Sequence, residues 1–111
     1  MDCLFCKIVA GEIPAKLLME NERVVAFEDI NPQAPTHILI IPKSHFADVG
    51  ELALGESQTL SELFLAASRL AIQYGLSGYR TVFNTGAEAG QTVFHAHLHL
   101  LGGRAFSWPP G

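Results

Sequence analysis

The chain has no cluster of basic residues: seven Lys and Arg stand against eleven Asp and Glu, a formal net charge of −4. Bulk electrostatics therefore provide no attraction for DNA, RNA or an anionic membrane, and any phosphate must be held by local groups. Long apolar runs are missing too. Stretches such as Ile38 to Ile41 and Leu63 to Ala67 are far short of a membrane span. No basic region followed by an apolar stretch opens the chain, so no secretory signal is expected and the cytoplasm is the expected compartment. Cysteine is scarce, with only Cys3 and Cys6 at a C-x-x-C spacing. Without a signal peptide, that spacing points to reduced thiols, a metal or a redox pair rather than to a disulfide-stapled scaffold. Charged residues make up only 16% of the chain and hydrophobic residues 49%, which argues against disorder. The 111 residues suffice for one core and not for two, so residues 1–111 are expected to form a single domain.

Glycine and proline fall where they make sense as punctuation. Leu4 to Ala10 reads as a short helix stopped by Gly11. Lys16 to Glu20 and Arg23 to Glu28 are strand-like and separated by Asn21-Glu22, which predicts a hairpin. Pro32 and Pro35 bracket a polar loop, and His37 to Ile41 is a β-branched run ended by Pro42, consistent with a buried strand. Between Gly55 and Gly75, Leu60, Leu63, Phe64, Ala67, Leu70, Ala71 and Tyr74 follow the i, i+3, i+4, i+7 rule. That spacing predicts one long amphipathic helix capped by Gly75. Tyr79 to Asn84 and Phe94 to Leu101 complete five expected strands. The expectation is an α+β domain with a five-stranded antiparallel sheet, one long helix and a short N-terminal helix.

The segment Phe94-His95-Ala96-His97-Leu98-His99-Leu100-Leu101 holds three of the five histidines. On a strand, side chains alternate between faces, so His95, His97 and His99 project from one side. Ala96, Leu98 and Leu100 face the other way, toward the long helix. Packing alone asks for no such row. A His-x-His metal pair is the main alternative, although this segment dictates no third ligand. The preceding loop, Asn84-Thr85-Gly86-Ala87-Glu88-Ala89-Gly90-Gln91-Thr92, sets two glycines, amides and hydroxyls beside the row. Glycines let backbone N–H groups approach an anion closely, and Asn84, Gln91 and Thr92 can add hydrogen bonds to phosphate or ribose. Alone, the loop also reads as an ordinary turn.

Taken together, these segments resemble the histidine-triad family, whose pattern is His-φ-His-φ-His-φ-φ with φ apolar. The resemblance runs nearly end to end, through Phe5-Cys6-Lys7-Ile8, Glu12-Ile13-Pro14-Ala15-Lys16, Ala26-Phe27-Glu28-Asp29-Ile30 and Pro32-Gln33-Ala34-Pro35-Thr36-His37. It continues from Gly102-Gly103-Arg104 into the closing Trp108-Pro109-Pro110-Gly111. The Pro-Gln-Ala-Pro-Thr-His segment and the Trp-Pro-Pro-Gly tail are similar to the Hint branch, the nucleoside phosphoramidases. The resemblance implies that His97 is the nucleophile, held as one tautomer by the backbone carbonyl of His95. It implies that His99 and His37 bind phosphate oxygens and help manage protons. Thr92 keeps the hydroxyl that the Hint branch commonly carries on serine, with an added methyl. Asn84, Gly90 and Gln91 match phosphate- and ribose-side contacts, and Asp29 matches the carboxylate that accepts both ribose hydroxyls. Phe5, Ile8, Phe27 and Ile30 match the apolar slot for the base, while also reading as plain core.

Cys3 and Cys6 depart from the animal-type Hint pattern. In other family members an N-terminal C-x-x-C joins two histidines in a structural zinc site, and His45 and His95 match those histidines. Inert thiols are the next reading, and a redox pair the last, because no βαβ context accompanies the motif. The functional expectation is a homodimeric hydrolase of purine nucleoside 5′-phosphoramidates and related adenylates. It would need no cofactor for catalysis and would have neither nucleic acid nor membrane as a partner. Two alternatives stay open: cleavage of dinucleoside polyphosphates, against which the Trp-Pro-Pro-Gly ending argues, and a dimeric nucleotide-binding module whose turnover is incidental.

Overall fold

A computed structural model describes residues 3–111; Met1 and Asp2 lie outside the described residues. In chain order the elements are helix α1 (Leu4–Val9), strands β1 (Leu17–Glu20), β2 (Val24–Glu28) and β3 (Thr36–Pro42), helices α2 (Val49–Gly55) and α3 (Ser57–Gln73), and strands β4 (Tyr79–Val82) and β5 (Leu98–Gly102). The first hairpin is closed by Asn21, whose side-chain oxygen accepts from the backbone N–H groups of Arg23 (2.8 Å) and Val24 (3.0 Å). Such a turn mimics backbone hydrogen bonding and suits a two-residue reversal. The sheet has the order β1-β2-β3-β5-β4 and every pairing is antiparallel. The expected α+β architecture is therefore present.

Strands β2 and β3 are buried on both faces, because each face is covered by a different helix. On one side Val24, Ala26, Ile38, Ile40, Leu98 and Leu100 meet Leu63, Ala66, Ala67 and Leu70 of α3. On the other, Val25, Phe27, Leu39 and Ile41 meet Phe5 of α1. Fully burying a Leu, Ile or Val contributes about 1.5–3 kcal/mol, so the α3 face dominates the stability. The short α1 covers only part of its face. The remainder is where the histidines stand.

Three boundaries differ from the sequence expectation. Helix α2 was not anticipated, since Gly50 and Gly55 weaken both its propensity and its periodicity. Its N-terminus is capped by side chains that the sequence reading passed over: the Asp48 carboxylate accepts from Glu51 N–H at 2.9 Å, and the Glu51 carboxylate accepts from Ala47 N–H at 3.2 Å. Gly55 is required there, because an added Cβ would collide with the Phe46 ring. Strand β4 ends at Val82 rather than Asn84. Strand β5 begins at Leu98 rather than Phe94, and the cause is Pro42 at the end of β3. Proline has no N–H for the ladder, its carbonyl faces the His95 ring at 2.8 Å, and the N–H of Ala96 donates to Phe46 O at 2.7 Å instead. His95 and His97 thus precede the strand.

Candidate active site

Two groups of side chains stand on the α1 face, joined by residues 95–97. The first contains Cys3, Cys6, His45 and His95. Cys3 is the N-cap of α1, where its Sγ accepts from Cys6 N–H at 3.4 Å, so both sulfurs sit at one end of the helix. Cys3 Sγ lies 3.5 Å and Cys6 Sγ 3.6 Å from His95 Nδ1, while Cys6 Sγ lies 3.3 Å and His95 Nδ1 3.2 Å from His45 Nδ1. All four ligand atoms fall within 4.8 Å of one another. Tetrahedral zinc, with bonds of about 2.3 Å to sulfur and about 2.0–2.1 Å to nitrogen, sets neighbouring ligands roughly 3.3–3.8 Å apart. The four residues fit such an ion in chemistry and in spacing.

The surroundings suit ligation as well. His95 Nε2–H donates to Pro42 O at 2.8 Å, which leaves the Nδ1 lone pair for the group. Burial holds the His95 imidazole below its ordinary value, so it stays neutral as a ligand must. Burial pushes the Cys6 thiol up, and Cys3 adds a hydrogen bond and like charge in the same direction. A divalent cation would reverse both effects by favouring the thiolates.

The second group is the triad proper. His97 Nδ1 is 2.7 Å from His95 O, and a carbonyl can only accept, so Nδ1 carries the proton and Nε2 carries a lone pair. The same logic runs through the neighbouring pair. His37 Nδ1 accepts from Gln33 N–H at 3.0 Å, so the proton of this imidazole is on Nε2. His37 Nε2–H then donates to His99 Nδ1 at 2.9 Å. His99 is left with its proton on Nε2, a buried atom with no hydrogen-bond partner among the described residues. The His97 and His99 rings lie 5.0 Å apart. Phe5 of α1 stands edge-on to His97 at 5.1 Å and to Phe27 at 5.6 Å.

Asp29 sits at the other end. One carboxylate oxygen accepts from Asn31 N–H at 2.8 Å, and the other lies 3.4 Å from His37 Nε2. Its remaining lone pairs are available to hydroxyl donors. Asp29, His37 and His99 also bring potential ligand atoms together, but the hydrogen bonds just described account for that spacing.

Burial keeps His37 and His99 neutral at pH 7. It lowers the His99 imidazole to about 4, helped by the neighbouring His97 and His37, and it lowers His37 against the pull of Asp29. The unfolded chain accepts protons near the ordinary value of 6.5, whereas folded His99 refuses them until about 4. The stability that comes with neutral His99 is complete above pH 6.5 and is lost as the pH falls toward 4. Urea midpoints measured across this window should decline steadily toward acid, and His99→Asn should flatten the decline. An unchanged slope in the variant would remove His99 from the account.

The other sequence candidates separate into distinct surroundings. Phe5 and Phe27 are buried in the α1-side core, with Ile8 packed at its edge, whereas Ile30 is fully exposed. Gln91 is buried, and its amide is spent internally: Oε1 accepts from Gly86 N–H (2.8 Å), and Nε2 donates to Ala47 O (2.7 Å) and Val93 O (3.1 Å). It shapes the loop before the triad and ties that loop to the segment following His45. Gly90 adopts φ +95°, a conformation that side chains rarely tolerate, so glycine is required there by the backbone. Asn84 is half-buried and Thr92 is exposed. Two contributors were missed in the sequence: Gln33, whose N–H sets the His37 tautomer, and Pro42, whose carbonyl orients His95. Both act through backbone atoms, which side-chain chemistry does not advertise.

Comparison with known proteins shows the family. The HIT domain model matches residues 10–106. A 14 kDa zinc-binding protein of Zea mays is 51% identical over 112 residues, covering 97% of this chain and 87% of the relative. The crystal structure of a HIT family hydrolase from Legionella pneumophila superposes with a TM-score of 0.94 at 53% identity, covering 99% of this chain and 100% of that one. A histidine triad nucleotide-binding protein of Candida albicans superposes with a TM-score of 0.85 at 34% identity, covering 97% and 83% of the two chains. With the triad, the sheet order and this length of match in agreement, the chain belongs to the HIT family.

Proposed function

We propose that the chain is a nucleotide hydrolase that cleaves purine nucleoside 5′-phosphoramidates and related adenylates through a covalent intermediate on His97. The observation that carries this reading is the opposed hydrogen-bonding character of two adjacent rings. His97 offers a lone pair at Nε2, and His99 offers an unpartnered N–H at Nε2. A phosphate ester approaching the site meets a nucleophile and a donor for its oxygens together. His97 Nε2 attacks the α-phosphorus and the phosphorus–nitrogen bond breaks, the leaving amine taking up a proton from solvent that the attacking water of the second step gives back. The His97 ring becomes positively charged as it bonds to phosphorus, and its Nδ1–H hydrogen bond to His95 O strengthens accordingly. Water then displaces His97, releasing the nucleoside monophosphate and restoring the neutral imidazole.

Asp29 accepts the ribose hydroxyls in this reading, and His37 holds His99 in its donor tautomer. Phe5, Ile8, Phe27 and Ile30 border the base, and Asn84, Gly90, Gln91 and Thr92 form the phosphate-side loop. The chemistry calls on no cofactor. Cys3, Cys6, His45 and His95 hold a structural zinc ion, a reading supported by their spacing and by the maize relative's name. The setting is the cytoplasm; no described helix is long and apolar enough to cross a membrane.

Hydrolysis measured over a panel of purine phosphoramidates and dinucleoside polyphosphates tests the substrate class. Preference for the phosphoramidates is expected, and preference for the dinucleotides would favour the other branch of the family. In the same panel Asp29→Ala should weaken binding by roughly 1–3 kcal/mol, the cost of losing a charge-assisted acceptor. The loss should shrink for a substrate lacking ribose hydroxyls. Equal losses on both substrates would show that Asp29 does not read the sugar.

The functional unit in this reading is a homodimer. Among the described residues, strand β4 ends the sheet with one side unpaired; Tyr79 on it is exposed, as are Leu65, Ile72 and Phe64 of α3, the last packed against Phe83 just after the strand. An exposed edge with apolar neighbours is a surface that proteins usually cover, and pairing with a second copy across a two-fold axis would do so. Light scattering at micromolar concentration should give twice the chain mass. A monomer mass would overturn the assignment.

A further inference from the structure

His95 takes part in three interactions that point in different directions. Its ring Nδ1 belongs to the Cys/His group, its ring Nε2–H is fixed on Pro42 O, and its main-chain oxygen accepts the Nδ1–H of His97 at 2.7 Å. The segment it occupies is not part of the sheet: β5 starts at Leu98, and Ala96 is tied instead to Phe46 O, next to His45. Phe5, lying between Cys3 and Cys6 on α1, stands edge-on to both imidazoles, 5.9 Å from His95 and 5.1 Å from His97. The placement of His97 therefore rests on His95, on the chain beside His45 and on the helix that carries both thiols. Each of these is anchored by a member of the same four-residue group.

We propose that metal occupancy of the Cys3, Cys6, His45 and His95 group sets the tautomer and orientation of His97, with His95 as the positioning residue. The inference rests on the zinc and nucleophile readings above. It goes beyond them in making the metal group a control on the reaction rather than a staple for the fold. The ion does not touch substrate. With the group loaded, the His95 ring is held at both nitrogens, its carbonyl is fixed, and His97 Nε2 keeps one direction for attack. With the group empty, the ring is held only at Nε2, and the segment bearing His97 gains freedom.

The test uses the full chain, labelled with 15N, in zinc-loaded, cadmium-exchanged and chelator-stripped forms, each with measured metal content. Imidazole NMR should show His97 in the loaded protein as a single Nδ1–H tautomer. Cadmium, with its longer bonds, should shift the His97 Nδ1 resonance while leaving His37 unchanged. Stripping should mix the His97 tautomers. With substrate, stripping should lower kcat about 10-fold or more with little change in KM, since the ribose end of the site is untouched. The cadmium form stays folded and keeps the test decisive if the stripped form does not. His97 signals identical in the zinc and cadmium forms would overturn the coupling alone. A protein that takes up no metal would overturn it together with the zinc reading. A metal-responsive His97 in a protein that turns over no nucleotide would support the coupling and overturn the hydrolase reading instead.

Discussion

His97→Ala should abolish turnover while leaving a folded protein that still binds a purine nucleotide. The lone pair at His97 Nε2 is defined by one short hydrogen bond on the opposite nitrogen, and neither His37 nor His99 can replace it. His37 spends both nitrogens in its chain of hydrogen bonds, and the unshared nitrogen of His99 is a donor. Losing a covalent nucleophile costs on the order of 10⁴-fold or more in rate, because the remaining groups can only bind and polarise. The structural cost is smaller. Truncation leaves the His95 carbonyl without its partner, roughly 1–3 kcal/mol. Single-turnover measurements with a phosphoramidate, alongside nucleotide binding by calorimetry, separate the two effects. Residual activity within about tenfold of the parent would remove His97 from the nucleophile's role.

The second large effect is on stability. Protein purified without chelator should carry about one zinc per chain, and its removal should cost roughly 2–4 kcal/mol, a Tm drop on the order of 10 °C or more. The four ligands join three stretches of chain: α1, the turn at His45 after β3, and the segment before β5. Helix α1 has only six residues, too few to persist without tertiary support, and contributes one fully buried side chain, Phe5. Releasing its two thiols should therefore free the helix and expose the face that Phe5 covers. Thiol reagents report the same event, since bound cysteines resist modification until the metal leaves. Two freely reactive thiols in a metal-free chain of unchanged Tm would refute the site.

The triad's face was legible in the sequence even though its strand was not. Alternation predicted that His95, His97 and His99 share one side, and it holds although β5 covers only the last of them. An extended chain keeps alternating after its ladder stops. The β3–β5 ladder stops at the Ile40–Leu98 pair; Pro42 was expected to end β3, but residue patterning did not show that it would shorten β5 as well. Helix α3 was evident because the regular apolar spacing along its 17 residues outvotes any local ambiguity, whereas α2 has seven residues and two glycines. Gln91 shows a different limit. Its position in the loop was correct, but whether an amide faces a ligand or the protein's own carbonyls depends on where Ala47 and Gly86 come to rest. The resemblance to the histidine-triad family supplied the Cys/His grouping. Spacing alone could not bring His45 beside Cys6 across 39 positions.

The way the imidazoles pass their protons along has a consequence for how the site lets go. Gln33, His37 and His99 form a relay of neutral dipoles that ends in an N–H rather than in a cation. A phosphate gripped by dipoles gains less from electrostatic attraction than one paired with a fixed positive charge, and that gain is screened less by salt. In the proposed reaction, the doubly charged monophosphate product would find no ion pair in this relay to hold it back. A chain that is negative overall would hasten its departure further. The cost falls on the resting protein, which keeps a buried donor without a partner until substrate arrives, so the empty site is the less stable one. In the proposed reaction, tight grip is exchanged for fast release.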